Sequence, residues 1–157
     1  MDRSNSAVRV QVTEVANGRE LRREHAQEYA RRLVKAIAPK CIILFGSVAR
    51  DTDREWSDLD LVVVGGDLPG DIFERISRVS KLTRGIRTPA DIFPYTEAEF
   101  ERQLDNLRVT ALDCMYEGIP LHGKDYFDRL RPKFEEYVTR GLRRAKAAWL
   151  FDKKRPE

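Results

Sequence analysis

The spacing of apolar positions changes period several times along the chain, and each change marks an element. Val8, Val10 and Val12 alternate with Arg9, Gln11 and Thr13. This two-residue period predicts a short edge strand, and Asn17-Gly18 predicts a turn after it. From Arg19 to Ala38 the period becomes helical. Leu21, His25, Tyr29, Leu33 and Ile37 recur every fourth residue above an arginine-rich back, and Pro39 stops the run. CIILF, residues 41–45, is continuously apolar and reads as a central strand buried on both faces. GSVARDTDREWS connects it, with room for about a turn or two of helix, to a second central strand, DLDLVVV, at 58–64.

Gly65-Gly66 and Leu68-Pro69-Gly70 end that strand. Ile72, Phe73, Ile76, Val79 and Leu82 then give a helical stripe over 71–82. TPADIFPY, 88–95, predicts a third strand bounded by Pro89 and Pro94. Thr96 with Glu99 fits a capping box opening a helix through Leu112 and Met115, broken by Gly118 and Pro120. A last helix is expected from near Asp125 towards Phe151, with Pro132 and Gly141 as kinks or a break. The expected fold is α/β: a small mixed sheet flanked by helices. It divides into an N-terminal strand or arm (1–18), a central domain (19–123) and a C-terminal helical extension (124–157).

Composition narrows the class. The 157 residues fit one domain, and a 41% apolar fraction can build its core. No run approaches the roughly 18 apolar residues of a membrane span, and MDRSNSAVRV has no signal-peptide core, so a cytoplasmic protein is expected. Cys41 and Cys114 form no CxxC pair and read as reduced core residues. Net charge is only +3, but it is uneven. Acids crowd residues 41–71. Arg140, Arg143, Arg144, Lys146, Lys153, Lys154 and Arg155 make the tail basic. An acidic centre suits a cation, and a basic tail suits either an anionic partner or a solvated face.

The acids in the second strand raise the chemical question. Side chains alternate along a strand, so Asp58 and Asp60 share a face, with Cα atoms about 6.6 Å apart. Like charges repel there, and desolvation adds to the penalty. A divalent cation resolves the conflict, since Mg²⁺ favours one or two carboxylates plus substrate phosphates. Asp91, on a strand that can lie beside DLDLVVV, supplies a third carboxylate. Three carboxylates can hold two metal ions that stabilise attacking and leaving oxygens. Upstream, Gly46 lets backbone approach a ligand closely, and the turn that follows offers free N–H groups to phosphate oxygens. Ser47 adds a hydroxyl, and Arg50 adds a charge for phosphate or a nearby acid.

Other motifs fail on particular residues. A calcium loop from Asp51 has Trp56 where glycine belongs and Val62 where the bidentate glutamate belongs. No GKS or GKT makes a P-loop, and no GxSxG makes a hydrolase elbow. His25 and His122 lie outside the motif.

GSVAR and SDLDL at this spacing resemble the nucleotidyltransferase domain of the DNA polymerase β superfamily, closest to the minimal nucleotidyltransferases of prokaryotes. That pattern is Gly-Ser-x-Ala-Arg-Gly, five residues, then Ser-Asp-x-Asp-Leu. Gly46, Ser47, Ala49, Arg50, Ser57, Asp58, Asp60 and Leu61 fall in place, and the likeness covers about residues 20–122. Asp51 replaces the family glycine; it tolerates positive φ better than most residues but adds negative charge. The resemblance implies transfer of a nucleoside monophosphate, AMP above all, from an NTP to an acceptor hydroxyl. Asp58, Asp60 and Asp91 would be the catalytic and metal-binding set for Mg²⁺ or Mn²⁺, with Asp91 as base or orienting group. Gly46, Ser47, Arg50 and Ser57 would bind the nucleotide. It also implies a small helical HEPN-type partner, with the chain as antitoxin of a toxin–antitoxin pair. The alternatives are a non-catalytic nucleotide- or partner-binding module, a homo-oligomer, and nucleic-acid binding through the basic tail with Trp149 and Phe151 stacking.

Overall fold

The computed structural model describes the backbone of residues 4–146 and 148–152, and side chains from Gly18 onward within that range. Four strands, β1 (Cys41–Phe45), β2 (Leu59–Val64), β3 (Ala90–Tyr95) and β4 (Ile119–His122), form one sheet in the order β3-β2-β1-β4. β1 runs antiparallel to β2 and β4, and β2 runs parallel to β3. The sheet is therefore mixed, as expected. The long helix α1 (Ser4–Ile37) and α3 (Ile72–Leu82) cover one face through Leu33, Ile37 and Val79 against Ile42, Leu44 and Leu61. Helices α4 (Glu97–Asp105), α5 (Val109–Glu117) and α6 (Lys124–Thr139) cover the other, through Phe100, Met115 and Phe127 against Ile43, Val62 and Val64. All five residues of β1 are buried, which is why its pattern shows no alternation.

The N-terminal strand and turn are not formed. The backbone is helical from Ser4 through Gly18 into the helix expected from Arg19. Three alternating valines are too short a signal to decide; Val8, Val12 and Val15 equally fit an i, i+4, i+7 helical row. The helix expected from Thr96 to Met115 is two helices. Leu107 adopts φ 54°, its N–H bonds Leu104 O, and the Arg108 N–H bonds Gln103 O. Those two bonds make a Schellman stop. It is invisible in sequence because leucine, packed against the core, stands where glycine is usual. Thr96 and Glu99 do form the expected capping box.

The last helix also ends earlier than its pattern suggests. α6 stops at Thr139, and β5 (Leu142–Arg144) with β6 (Trp149–Phe151) forms a two-stranded hairpin. Gly141 makes the switch: φ is 115°, and a Cβ there would lie 2.3 Å from Asp152 O. Leu142 is buried and the Trp149 ring meets Phe134 and Tyr116 edge-on. Two of the tail arginines are paired, Arg143 with Asp152 and Arg144 with Asp113. Lys153, Lys154 and Arg155 lie outside the described residues. No helix among the described residues is long and apolar enough to cross a membrane.

A buried carboxylate fastens α1 to the loop between α2 (Gly46–Ala49) and β2. Asp53 has a fully buried side chain; Arg19 donates to it at 2.7 Å and Arg22 at 2.5 Å. Burial alone would raise its proton affinity, but the two guanidiniums outweigh burial and hold the carboxyl below the usual range. Removing one partner strands the nearly buried Arg22 charge. Asp53→Ala should therefore lower stability by about 3–5 kcal/mol in denaturant unfolding; a loss within about 0.5 kcal/mol, the range of an ordinary surface substitution, would show the clamp is idle.

Candidate active site

The sheet register brings two of the three sequence-selected aspartates side by side. Phe45 pairs with Asp60, and Asp60 pairs with Asp91. Paired positions present side chains to one face, so all three look towards the α4–α6 side. One pleat further in, the same row reads Ile43, Val62, Phe93 and is packed core. The carboxylates thus sit at the mouth of a face that is otherwise dry. Asp58 precedes β2 by one residue, exposed, on the same alternation as Asp60. Asp91 is exposed and Asp60 half-buried. Burial raises the Asp60 pKa to about 6, helped by the charges of Asp91 and Asp58, with Arg50 opposing and Glu117 adding.

Gly46 is dictated by that carboxylate. It takes φ 77°, and a Cβ built on it would lie 2.2 Å from Asp60 Oδ2. Glycine is the residue that leaves room for Asp60 and also adopts this backbone cheaply. Asp51, at the family's glycine position, has φ 58°, the left-handed region that aspartate tolerates. Its added charge is matched by Arg23, whose guanidinium donates to it at 2.8 Å.

The remaining residues of the motif have partners within the fold. Ser47 lies half-buried in α2, with its carbonyl accepting from the Thr52 N–H. Ser57 closes a tight turn, its hydroxyl accepting from the Arg54 N–H at 2.8 Å. Arg50 caps α2 and donates to Glu117 Oε1 at 2.7 Å. The same oxygen accepts from the Gly46 N–H at 3.3 Å. Glu117 was not singled out by sequence. It ends α5 in an ordinary helical run, and only the packing of α5 on β1 carries it into the site.

The donor set fits a divalent cation that arrives with its substrate. Among the described residues no three His, Cys, Asp or Glu side chains converge closely enough to hold an ion unaided. Mg²⁺ does not require such a cage: it keeps waters and takes one or two carboxylates plus phosphate oxygens. The crowding on Asp60 and the glycine beneath it are what such an ion would relieve and need. Beside Asp58, a cavity of about 420 Å³ opens between Arg22 and His25 of α1, Trp56, and Thr88-Pro89. A larger one, about 520 Å³, lies by Tyr95 at the far end of β3. Its Arg75 is already held by both oxygens of Glu99, so it offers less chemistry.

The family model described as nucleotidyltransferase domain matches residues 23–115. Among solved structures, a candidate nucleotidyltransferase from Sulfolobus solfataricus is 25% identical, with a TM-score of 0.46 over 55% of this chain and 78% of that one. A toxin–antitoxin protein solved with AMP-PNP is 18% identical, with a TM-score of 0.49 over 72% of this chain and 86% of that one. These superpositions are too loose to carry an argument about substrate or partner. No curated protein matches.

Asp60 carries a testable sign. Its folded pKa is raised, so the unfavourable ionisation is absent well below pH 4, grows as pH rises, and is complete above about pH 6. Asp60→Asn should leave stability unchanged at low pH and raise it by about 1 kcal/mol above pH 7, allowing for screening of a half-buried group. Thermal melts of the metal-free protein at both pH values read this; destabilisation at pH 7 would contradict it.

Proposed function

The chain belongs to the nucleotidyltransferase domain family, and on that premise we propose that it transfers a nucleoside monophosphate, AMP above all, from an NTP to an acceptor hydroxyl. The observation that carries this reading is the in-register pairing of Asp60 with Asp91 beside a glycine at positive φ that leaves room for the Asp60 carboxylate. Asp58, Asp60 and Asp91 would hold Mg²⁺ or Mn²⁺. Bound there, the cation would neutralise the phosphates and stabilise the attacking and leaving oxygens.

The protein's own groups then have separate tasks. Gly46 admits the phosphate chain against backbone, and Ser47 and Arg50 offer it a hydroxyl and a guanidinium. Asp91, exposed on β3, orients the acceptor hydroxyl and takes its proton. The acceptor oxygen bonds to the α-phosphorus as the bond to the bridging oxygen breaks, and pyrophosphate leaves with that electron pair. The cavity beside Asp58 gives the nucleoside or the acceptor room. Ser57 serves indirectly, by holding the turn that delivers Asp58.

We place the acceptor on a small helical HEPN-type protein in the cytoplasm, the chain acting as its antitoxin. This partner is drawn from the sequence resemblance; exposed Tyr116, Val138, Leu150 and Phe151 on α5, α6 and the hairpin are apolar side chains suited to a protein contact. Nucleic-acid binding through the tail is less favoured, because Arg143, Arg144 and Trp149 are engaged within the fold.

Incubation with each α-labelled NTP, Mg²⁺ and candidate acceptors should give label in the acceptor with ATP, lost with EDTA and with Asp60→Ala. Undiminished transfer by Asp60→Ala, or none with any NTP, would overturn the reading.

A further inference from the structure

Glu117 is a buried carboxylate beside the site, with 8% of its side chain exposed. Its Oε1 accepts from two donors at once, the Gly46 N–H at 3.3 Å and Arg50 Nη1 at 2.7 Å. Its Oε2 is buried with no hydrogen-bond partner. Both donors belong to the cradle where the triphosphate is placed above, so a protein carboxylate already occupies them. A buried acceptor left unpaired is unfavourable and is rare enough in folded proteins to call for a reason. The charge balance is equally uneven. Around Asp60 the acids Asp91, Asp58 and Glu117 act together against one guanidinium, Arg50, and Arg50 is tied to Glu117.

We propose that Glu117 is a built-in anion that masks the phosphate cradle, so that the site rejects bare phosphates and accepts a triphosphate only together with a divalent cation. The proposal rests on the transferase reading of this site and deepens it. Free phosphate, pyrophosphate or uncomplexed nucleotide must compete with a covalently tethered carboxylate for Arg50 and the Gly46 amide. It must also enter a field of four carboxylates against one guanidinium. A cation brought with the triphosphate offsets that field and gives the aspartates a partner; the phosphate oxygens can then share or take Arg50. Glu117 is a specificity-determining residue here, choosing the complexed over the bare anion.

The test is nucleotide binding without catalysis. Binding of ATP in EDTA, and of ATP with Mg²⁺, is measured by calorimetry for wild type, Glu117→Gln, Arg50→Ala and the double variant. Glu117→Gln keeps the side-chain shape and removes the charge. It should bind ATP in EDTA at least about tenfold more tightly than wild type, whereas with Mg²⁺ the two should differ by less than about threefold. In the Arg50→Ala background the gain in EDTA should vanish, because the donor being unmasked is gone. Equal or weaker binding of metal-free ATP by Glu117→Gln would overturn the proposal, as would a gain that survives Arg50→Ala. If melting shows that Glu117→Gln does not fold, Glu117→Asp, which withdraws the carboxylate by one methylene, reads the same gain. A wild type that fails to bind ATP with Mg²⁺ overturns the transferase reading and the cation-dependent half of the proposal; the EDTA measurements still decide whether Glu117 masks the cradle.

Discussion

The Asp60 carboxylate lies where a Cβ on residue 46 would otherwise be, and most of the site follows from that contact. It favours a glycine after β1, as does the positive φ there, and with the glycine comes a turn whose backbone is bare enough for a ligand to touch. β2 must enter the sheet in a register that puts Asp60 between Phe45 and Asp91. A slip of one residue would send Asp60 into the apolar layer beneath α1 and bring Leu61 to the mouth of the site. The same pairing that packs Ile43, Val62 and Phe93 therefore fixes the carboxylates.

Such a cluster is unfavourable by itself, and the surrounding fold holds it in place. The raised Asp60 pKa expresses the strain: burial first, then its acidic neighbours. Three ion pairs brace the loop that carries it. Asp53, clamped by Arg19 and Arg22, ties the loop to α1. Arg23 ties Asp51, whose left-handed backbone turns the chain out of α2. Glu117 and Arg50 brace the other side from α5. These contacts come from elements far apart in sequence, so the site is a property of the folded domain and not of the motif.

What could be read in the chain beforehand follows that division. The CIILF and DLDLVVV runs, the Thr96–Glu99 cap and the α3 stripe are local patterns, and they formed where expected. Asp51 was legible as a residue able to take positive φ, and it does. The failures lie where tertiary context decides. Three valines cannot distinguish a strand from the start of a long helix. The Leu107 stop has no glycine to announce it. β4, with Pro120, looked only like a helix breaker, because edge pairing to β1 leaves no local trace. Glu117 was missed for the same reason: its role depends on where α5 packs.

Diffraction from crystals grown with Mn²⁺ and a non-hydrolysable ATP analogue tests the central claim most directly. Anomalous peaks should appear between Asp58, Asp60 and Asp91, with the triphosphate over Gly46. Aspartates left without manganese while the nucleotide lies elsewhere would contradict it.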